Sequence, residues 1–308
     1  MIMLRRITLA ALALALVGML SPARAQAPSG LRWKFKEGQT LRYLLTQNTN
    51  SSISVGGQSI DNTTEQAFEV TWKVKSVKSD GSAEMIQVFD RAKMAMDTVL
   101  GQFTVDTNDE KDPEGPGAAL GQIFRALVGG EATMVMSPLG EIKDFKLPAK
   151  AAEALKNVPQ MPGSGRMLSE ESFKGIVEQA TLVLPGKTLR VDESWNSKRE
   201  QPQPPVGTIL IDTTYTFKGP DEKDKALDKI DLKSTLDLKV NPDFPVVVKI
   251  NKQDVKGTVL FDREGGFLKS SKVDQKLDLG MEAMGQNIDS ETKNTVAITL
   301  RDGSDTKQ

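Results

Sequence analysis

"AFEVTWKVKSVKSDGSAE" (67–84) is the stretch whose reading decides the fold class. Phe68, Val70, Trp72 and Val74 stand at alternate positions, separated by Glu69, Thr71 and Lys73. A helix would bring apolar residues back every three or four positions. A spacing of two describes a strand with one face buried and the other in water. Asp80-Gly81 then supplies a turn, because that pair accepts the positive φ a tight reversal needs.

The same period recurs downstream. Ile209, Ile211, Tyr215 and Phe217 alternate in "TILIDTTYTFKG" (208–219), and Ile230, Leu232, Leu236, Leu238 and Val240 follow in the next run. Val255, Val259 and Phe261, then Val273, Leu277 and Leu279, then Val296, Ile298 and Leu300 continue it. The positions between are mainly Lys, Asp, Thr and Ser. Strands of a parallel sheet, covered on both faces, would read as unbroken apolar runs, so the pattern predicts antiparallel sheet.

Helical spacing is confined to a few places. Leu120, Ile123, Phe124, Leu127 and Val128 share a face in "GAALGQIFRALVGG" (117–130), and Gly129-Gly130 ends the run. Short helices are also expected at 148–157 and at 169–180, where Phe173, Ile176, Val177 and Ala180 align and Ser169 is a candidate cap. "NVPQMPGSG" (157–165) reads as a loop between them. "KREQPQPPVG" (198–207) reads as an extended connection, excluded from a central strand by its prolines.

Two pairs of segments recur in the same order. "FKEGQTLRYLLT" (35–46) and "VLPGKTLRVDES" (183–194) align on Gly38 and Gly186, which are expected to set turns that launch equivalent strands. "MSPLGEIK" (136–143) and "FDREGGFLK" (261–269) share a strand, a tight turn with Gly140 or Gly265 at a positive-φ position, and a return strand. Such repetition predicts two related β-rich halves, 26–180 with a helical insert and 181–308, which could join as one unit. The expected fold is therefore mainly β (α+β): curved antiparallel sheets from two related halves, with a few short helices covering the concave face.

The first 25 residues read differently. Arg5-Arg6, the apolar run "ITLAALALALVGML" (7–20) and Ala23-Arg24-Ala25 have the order of an export signal cleaved before Gln26. The run falls short of the roughly 20 residues needed to cross a bilayer. An exported bacterial protein, periplasmic or extracellular, is expected, without a transmembrane anchor after cleavage. The whole chain of 308 residues has 40 basic and 41 acidic residues, and losing Arg5, Arg6 and Arg24 makes it more acidic. That balance argues against nucleic acid as a partner.

"LVLPGKTLRVDESWNSK" (182–198) before "GTILIDTTYTFKG" (207–219), with "MVMSPLGEIKDF" (134–145) upstream, resembles a family of secreted bacterial proteins of unknown function. That family, of planctomycete and Bacteroidetes type, carries P-x-K-x-V-x-x-G-D-x-W before a Y-T-x-x-G strand. Pro185, Lys187, Val191, Glu193 and Trp195 stand near those places, whereas the Gly-Asp of the pattern is absent from Val191-Asp192-Glu193-Ser194-Trp195. The resemblance implies no activity. At the level of fold the expected sheet is more distantly similar to periplasmic lipoprotein carriers and lipid-binding envelope proteins.

With no His and no Cys, the chain lacks the side chains of Ser-His-Asp and Cys-His catalysis and of most zinc and haem sites. No enzyme and no cofactor are expected. "DTNDEKDPEG" (106–115) invites a calcium reading through Asp106, Asn108, Glu110 and Asp112. Lys111 stands where the familiar loop requires Gly, and an acidic lead into a helix explains the run as well. Met94-Ala95-Met96 and Met134-Val135-Met136 could hold cuprous copper, but core packing accounts for them more simply. The leading expectation is a non-enzymatic binding or carrier protein for a lipid-like or other apolar small molecule. Phe68, Val70, Trp72, Val74, Ile209, Ile211, Tyr215 and Phe217 are the candidate lining. A structural or protein-interaction component of the envelope, partnered by envelope proteins, is the alternative, and a carboxylate-based hydrolase the third.

Overall fold

The computed structural model describes residues 30–99, 101–111, 114–156, 170–179, 181–203, 206–283 and 285–301. The export signal, the loop at 157–165 and the Ser169 cap lie outside them. Among the described residues, one open, curved antiparallel sheet dominates. The first half supplies β1 (Thr40–Val55), β2 (Gln58–Val77), β3 (Ala83–Thr98), β4 (Gly101–Asp106), β5 (Glu131–Met136) and β6 (Ile142–Lys146). The second supplies β7 (Ser194–Gln203), β8 (Gly207–Pro220), β9 (Leu227–Val240), β10 (Val247–Asp262), β11 (Phe267–Ala283) and β12 (Gln286–Arg301).

The strand order is β6-β5-β3-β2-β1-β12-β11-β10-β9-β8-β7, with β4 beside β3. The second half is thus an up-and-down meander, the first departs from one where β4 and β5 both pair with β3, and the two meet where β1 pairs with β12 from Arg42↔Arg301 to Val55↔Ile288. The order ends at β6 on one side and at β7 on the other. Between β6 and β7 in sequence stand two helices, α2 (Ala149–Lys156) and α3 (Glu170–Gln179), and α1 (Ala118–Leu127) stands between β4 and β5.

The helices occupy one face, here called the inner face. Phe124 of α1 meets Phe68 edge-on at 5.7 Å between centroids, and Phe173 of α3 meets Phe89 at 6.3 Å. The core lies between helices and sheet, with Phe89, Leu127, Met136 and Ile230 wholly buried. The Met pairs belong to it: Met134 stands opposite Met85 across β3 and β5, and Met85, Met134 and Met136 are buried.

Turns at 78–82, 137–141, 221–226 and 263–266 gather at one end of the strands, here the basal end. There the segment before β1 threads between loops distant in sequence. Trp33 N–H donates to the Pro138 carbonyl, Lys34 N–H to that of Gly266, and Trp33 Nε1–H to that of Leu182, each at 2.9 Å. Gly140 has φ 85°, and a Cβ there would lie 2.1 Å from the Leu182 oxygen. Only glycine fits so close a crossing.

Three local expectations need correction. Thr40-Leu41-Arg42 opens β1, but Thr188-Leu189-Arg190 is irregular, and β7 starts only at Ser194. Lys187 pairs with Glu193 at 2.5 Å, and Glu193 also accepts from Arg190 N–H, which folds the second copy into a turn. In the second hairpin it is Gly266, φ 71°, and not Gly265 that adopts positive φ. The expected connection at 198–207 begins as strand: β7 runs to Gln203, with Pro202 tolerated because β7 is the end strand of the order.

Candidate functional site

The eight residues read from sequence as lining share the inner face. Cross-strand register carries the row from Phe68 through Leu45, Ile298, Ser271, Val259 and Ile230 to Phe217. Phe68, Val70, Trp72 and Val74 are buried under the helices and the N-terminal segment, and Tyr215 and Phe217 are buried too. Trp72 packs on Tyr43 at 5.1 Å and donates from Nε1 to Gln87 Oε1 at 2.8 Å. Trp33 packs against Trp72 and, edge-on at 5.5 Å, against Phe261. Trp195 stacks on Tyr215 at 5.2 Å and donates to the Val183 carbonyl. All three tryptophans are therefore packed in the core. Ile209 and Ile211, further from the basal end, are only half-buried.

That distal half of the inner face has a distinct composition. Register places Gln47, Thr49 and Ser51 of β1 beside Val296, Asn294 and Thr292 of β12. Leu277 and Leu279 of β11 lie beside Gln253 and Ile250 of β10, and Leu236 and Leu238 of β9 beside Ile211 and Ile209 of β8. Most of these side chains are half-buried. Among the described strand residues here, the inner face carries one charge, Arg199 of β7. Its guanidinium donates to the Glu178 carbonyl at 2.7 Å and to Thr181 O, capping the end of α3. The opposite face holds Lys233, Asp237, Lys252, Asp254, Lys256, Asp274 and Lys276 at the intervening positions. Two open depressions lie on that polar face. One of about 450 Å³ is lined by Asp212, Asp231, Lys233 and neighbouring threonines, and Asp212 Oδ1 is buried there without a partner. The other, about 390 Å³, lies over β2, β3 and β4.

Two ion pairs mark the edges of the core. Arg91 grips Asp106 with Nε at 3.0 Å and Nη2 at 2.6 Å, and Asp106 also accepts from Asn108 N–H. The Arg91 hydrogen bonds hold the Asp106 carboxyl below its usual range. Asp106 is thereby committed to Arg91, and the acidic run at 106–111 reads as a braced turn; Asp112 lies outside the described residues. Arg263 makes a similar fork to the buried Asp228, where burial pushes the carboxyl up against the pull of the arginine.

The β9–β10 junction has no counterpart in the sequence reading. The two strands pair from Leu227↔Asp262 to Ser234↔Val255 and then part, although β9 continues to Val240 and β10 begins at Val247. At the fork Gln253 fills in: its Oε1 accepts from Leu236 N–H at 2.6 Å and its Nε2 donates to Leu236 O at 2.9 Å. One sequence signal was available. The connection 241–246 holds Pro242 and Pro245 and is longer than a two-residue hairpin turn.

Residues 80–268 match the model of a family of unknown function, DUF6263, and the chain belongs to that family. No curated protein matches it. Among solved structures, lipovitellin, described for its lipid–protein interactions, is similar over 87% of this chain at 11% identity and a TM-score of 0.48. The chain spans 26% of that protein's length. A putative outer membrane lipoprotein-sorting protein domain from Vibrio parahaemolyticus is similar at 9% identity, over 85% of this chain and 87% of that one, with a TM-score of 0.17.

Proposed function

We propose that this member of a family of unknown function is a non-enzymatic binding or carrier protein of the cell envelope. It holds an apolar or amphipathic ligand against the distal half of the inner face. One observation carries the reading: half-buried aliphatic side chains of β8–β11 continue along the inner face beyond its fully buried basal rows, where the single charge among the described strand residues is already used by α3. Alkyl chains gain about 25 cal/mol per Å² from such contact, and the amides and hydroxyls of β1 and β12 accommodate a polar end. The buried basal half, including Phe68, Val70, Trp72 and Val74, supports the sheet and leaves ligand contact to Ile209 and Ile211. The absence of His and Cys from the sequence supports a role without catalysis. Among the described residues no helix is long and apolar enough to cross a membrane.

Native mass spectrometry and solvent extraction of the full chain, purified from its own cells' envelope fraction, test this. A co-purifying species bearing a long alkyl chain is expected, and Leu238→Lys should strip it. Protein that arrives empty, and fails to take up a fluorescent fatty acid after delipidation, would end the proposal.

A further inference from the structure

We infer that the gap between β9 and β10 binds an extended peptide segment of a partner protein by strand insertion. This goes beyond the ligand proposed above and concerns a different kind of contact.

The inference starts from backbone valence. A strand presents the N–H and C=O of alternate residues to each side, and exposed groups that lack a strand partner are a template for an added strand. Beyond Ser234 the groups of Leu236, Leu238 and Val240 point toward β10, yet the ladder with β10 has ended. Leu236 is satisfied by the Gln253 side-chain amide in both directions. That amide is a peptide group in miniature, accepting and donating as one residue of a neighbouring antiparallel strand would. At the next rung Leu238 N–H turns to the side chain of the preceding residue, Asp237 Oδ1, at 2.9 Å. The protein therefore already places one amide in the gap and fills the following rung with a local contact that a better partner can displace.

The side chains around the gap specify what fits. Leu236 and Leu238 on one side and Val248 and Ile250 on the other face inward and are half-buried. Asp237, Lys239, Lys249 and Lys252 face outward and are exposed. An inserted strand would set every second side chain among aliphatic neighbours and the others among charges. An extended segment of about five or six alternating apolar and polar residues meets both conditions. An alkyl chain would leave the backbone groups unanswered.

The test uses the full chain and two labelled peptides, Ac-KVTVTVK-NH2 and the same peptide N-methylated at alternate residues. Fluorescence anisotropy should show saturable binding of the first below about 1 mM, weakened roughly tenfold or more by N-methylation. Hydrogen exchange should slow only across 236–240 and 247–253. Gln253→Ala, which frees the first rung, should tighten binding. Leu238→Pro removes the N–H facing the gap without touching the β8 ladder, and should abolish binding while the fold persists by circular dichroism. Absence of saturation at that concentration, or equal binding of the N-methylated peptide, overturns the inference. So does a self-associated form whose seam amides are protected and that the peptide does not dissociate, since the occupant would then be a second copy.

Discussion

Two carboxylates in similar arginine forks behave oppositely, and the difference is how deeply each is buried. Asp106 accepts hydrogen bonds from Arg91 and from Asn108 N–H, so its charged form is favoured in the folded state. A carboxyl depressed on folding contributes stability above its unfolded value, near 3.9, that is lost as pH falls through the folded value. Asp106→Asn should cost roughly 1–3 kcal/mol at pH 7. The gap to the parent should close in urea denaturation below about pH 4. Asp228 is buried, and its carboxyl is raised despite Arg263. Removing the arginine leaves a carboxylate that prefers to be protonated. Arg263→Ala should therefore cost roughly 2–4 kcal/mol near neutrality, and its melting temperature should rise between pH 7 and 5. A flat profile would mean that Asp228 gains solvent when Arg263 is lost. Neither pairing was legible in the sequence, because Arg91 and Asp106, or Asp228 and Arg263, find one another only through strand register.

At the level of elements, the legible part was the period. Alternation at 68–74, 209–217 and 230–240 marks strands wherever they pair, since side-chain direction depends on the strand's own pleat. Partner choice is a different matter. Leu236, Leu238 and Val240 alternate as regularly where β9 has lost β10 as Ile230 and Leu232 do where it is paired. The fork was therefore invisible, and so was the fate of Thr188-Leu189-Arg190, which leads into a turn where Glu193 N–H donates to the Arg190 carbonyl and Arg190 N–H to the Glu193 carboxylate. Glycines separate the same two kinds of information. Gly56 and Gly140 both have positive φ, but a Cβ at Gly56 meets open space while one at Gly140 meets the Leu182 carbonyl. Gly56→Ala should cost about 1 kcal/mol, the strain of the conformation alone. Gly140→Ala should cost roughly 2–4 kcal/mol and expose the basal tryptophans, read as a red-shifted emission. Equal costs would show that the basal crossing yields easily.

For the whole molecule, the two related halves expected from sequence meet in one sheet, and their junction is long. β1 lies between β2 and β12 along nearly its full length. Residues 26–180 expressed alone would present that edge unpaired, a template for other strands. Gel filtration should find this fragment aggregated or oligomeric, and co-expression with 181–308 should return a soluble one-to-one complex. A monomeric, cooperatively melting 26–180 fragment would instead make the first half an independent domain. The distal inner face is legible only at this scale. Its lack of charge emerges when β1, β8, β9, β11 and β12 are laid side by side, and no single run of sequence displays it.

The pairing of β1 with β12 also imposes a timetable. Arg42 meets Arg301 and Tyr43 meets Leu300, so the second partner of the first strand is made last. Contacts this remote in the chain form slowly, because a large loop must close before they return any energy. During synthesis β1 can complete its hairpin with β2 at once, then must wait for almost the entire chain. The middle of its outer edge in that interval reads Thr46, Asn48, Asn50 and Ser52 on one face and Gln47, Thr49 and Ser51 on the other, between ends that carry Leu41, Tyr43, Leu44, Leu45, Ile53 and Val55. A central stretch so hydrophilic has little to offer a wrong neighbour while it waits for the right one.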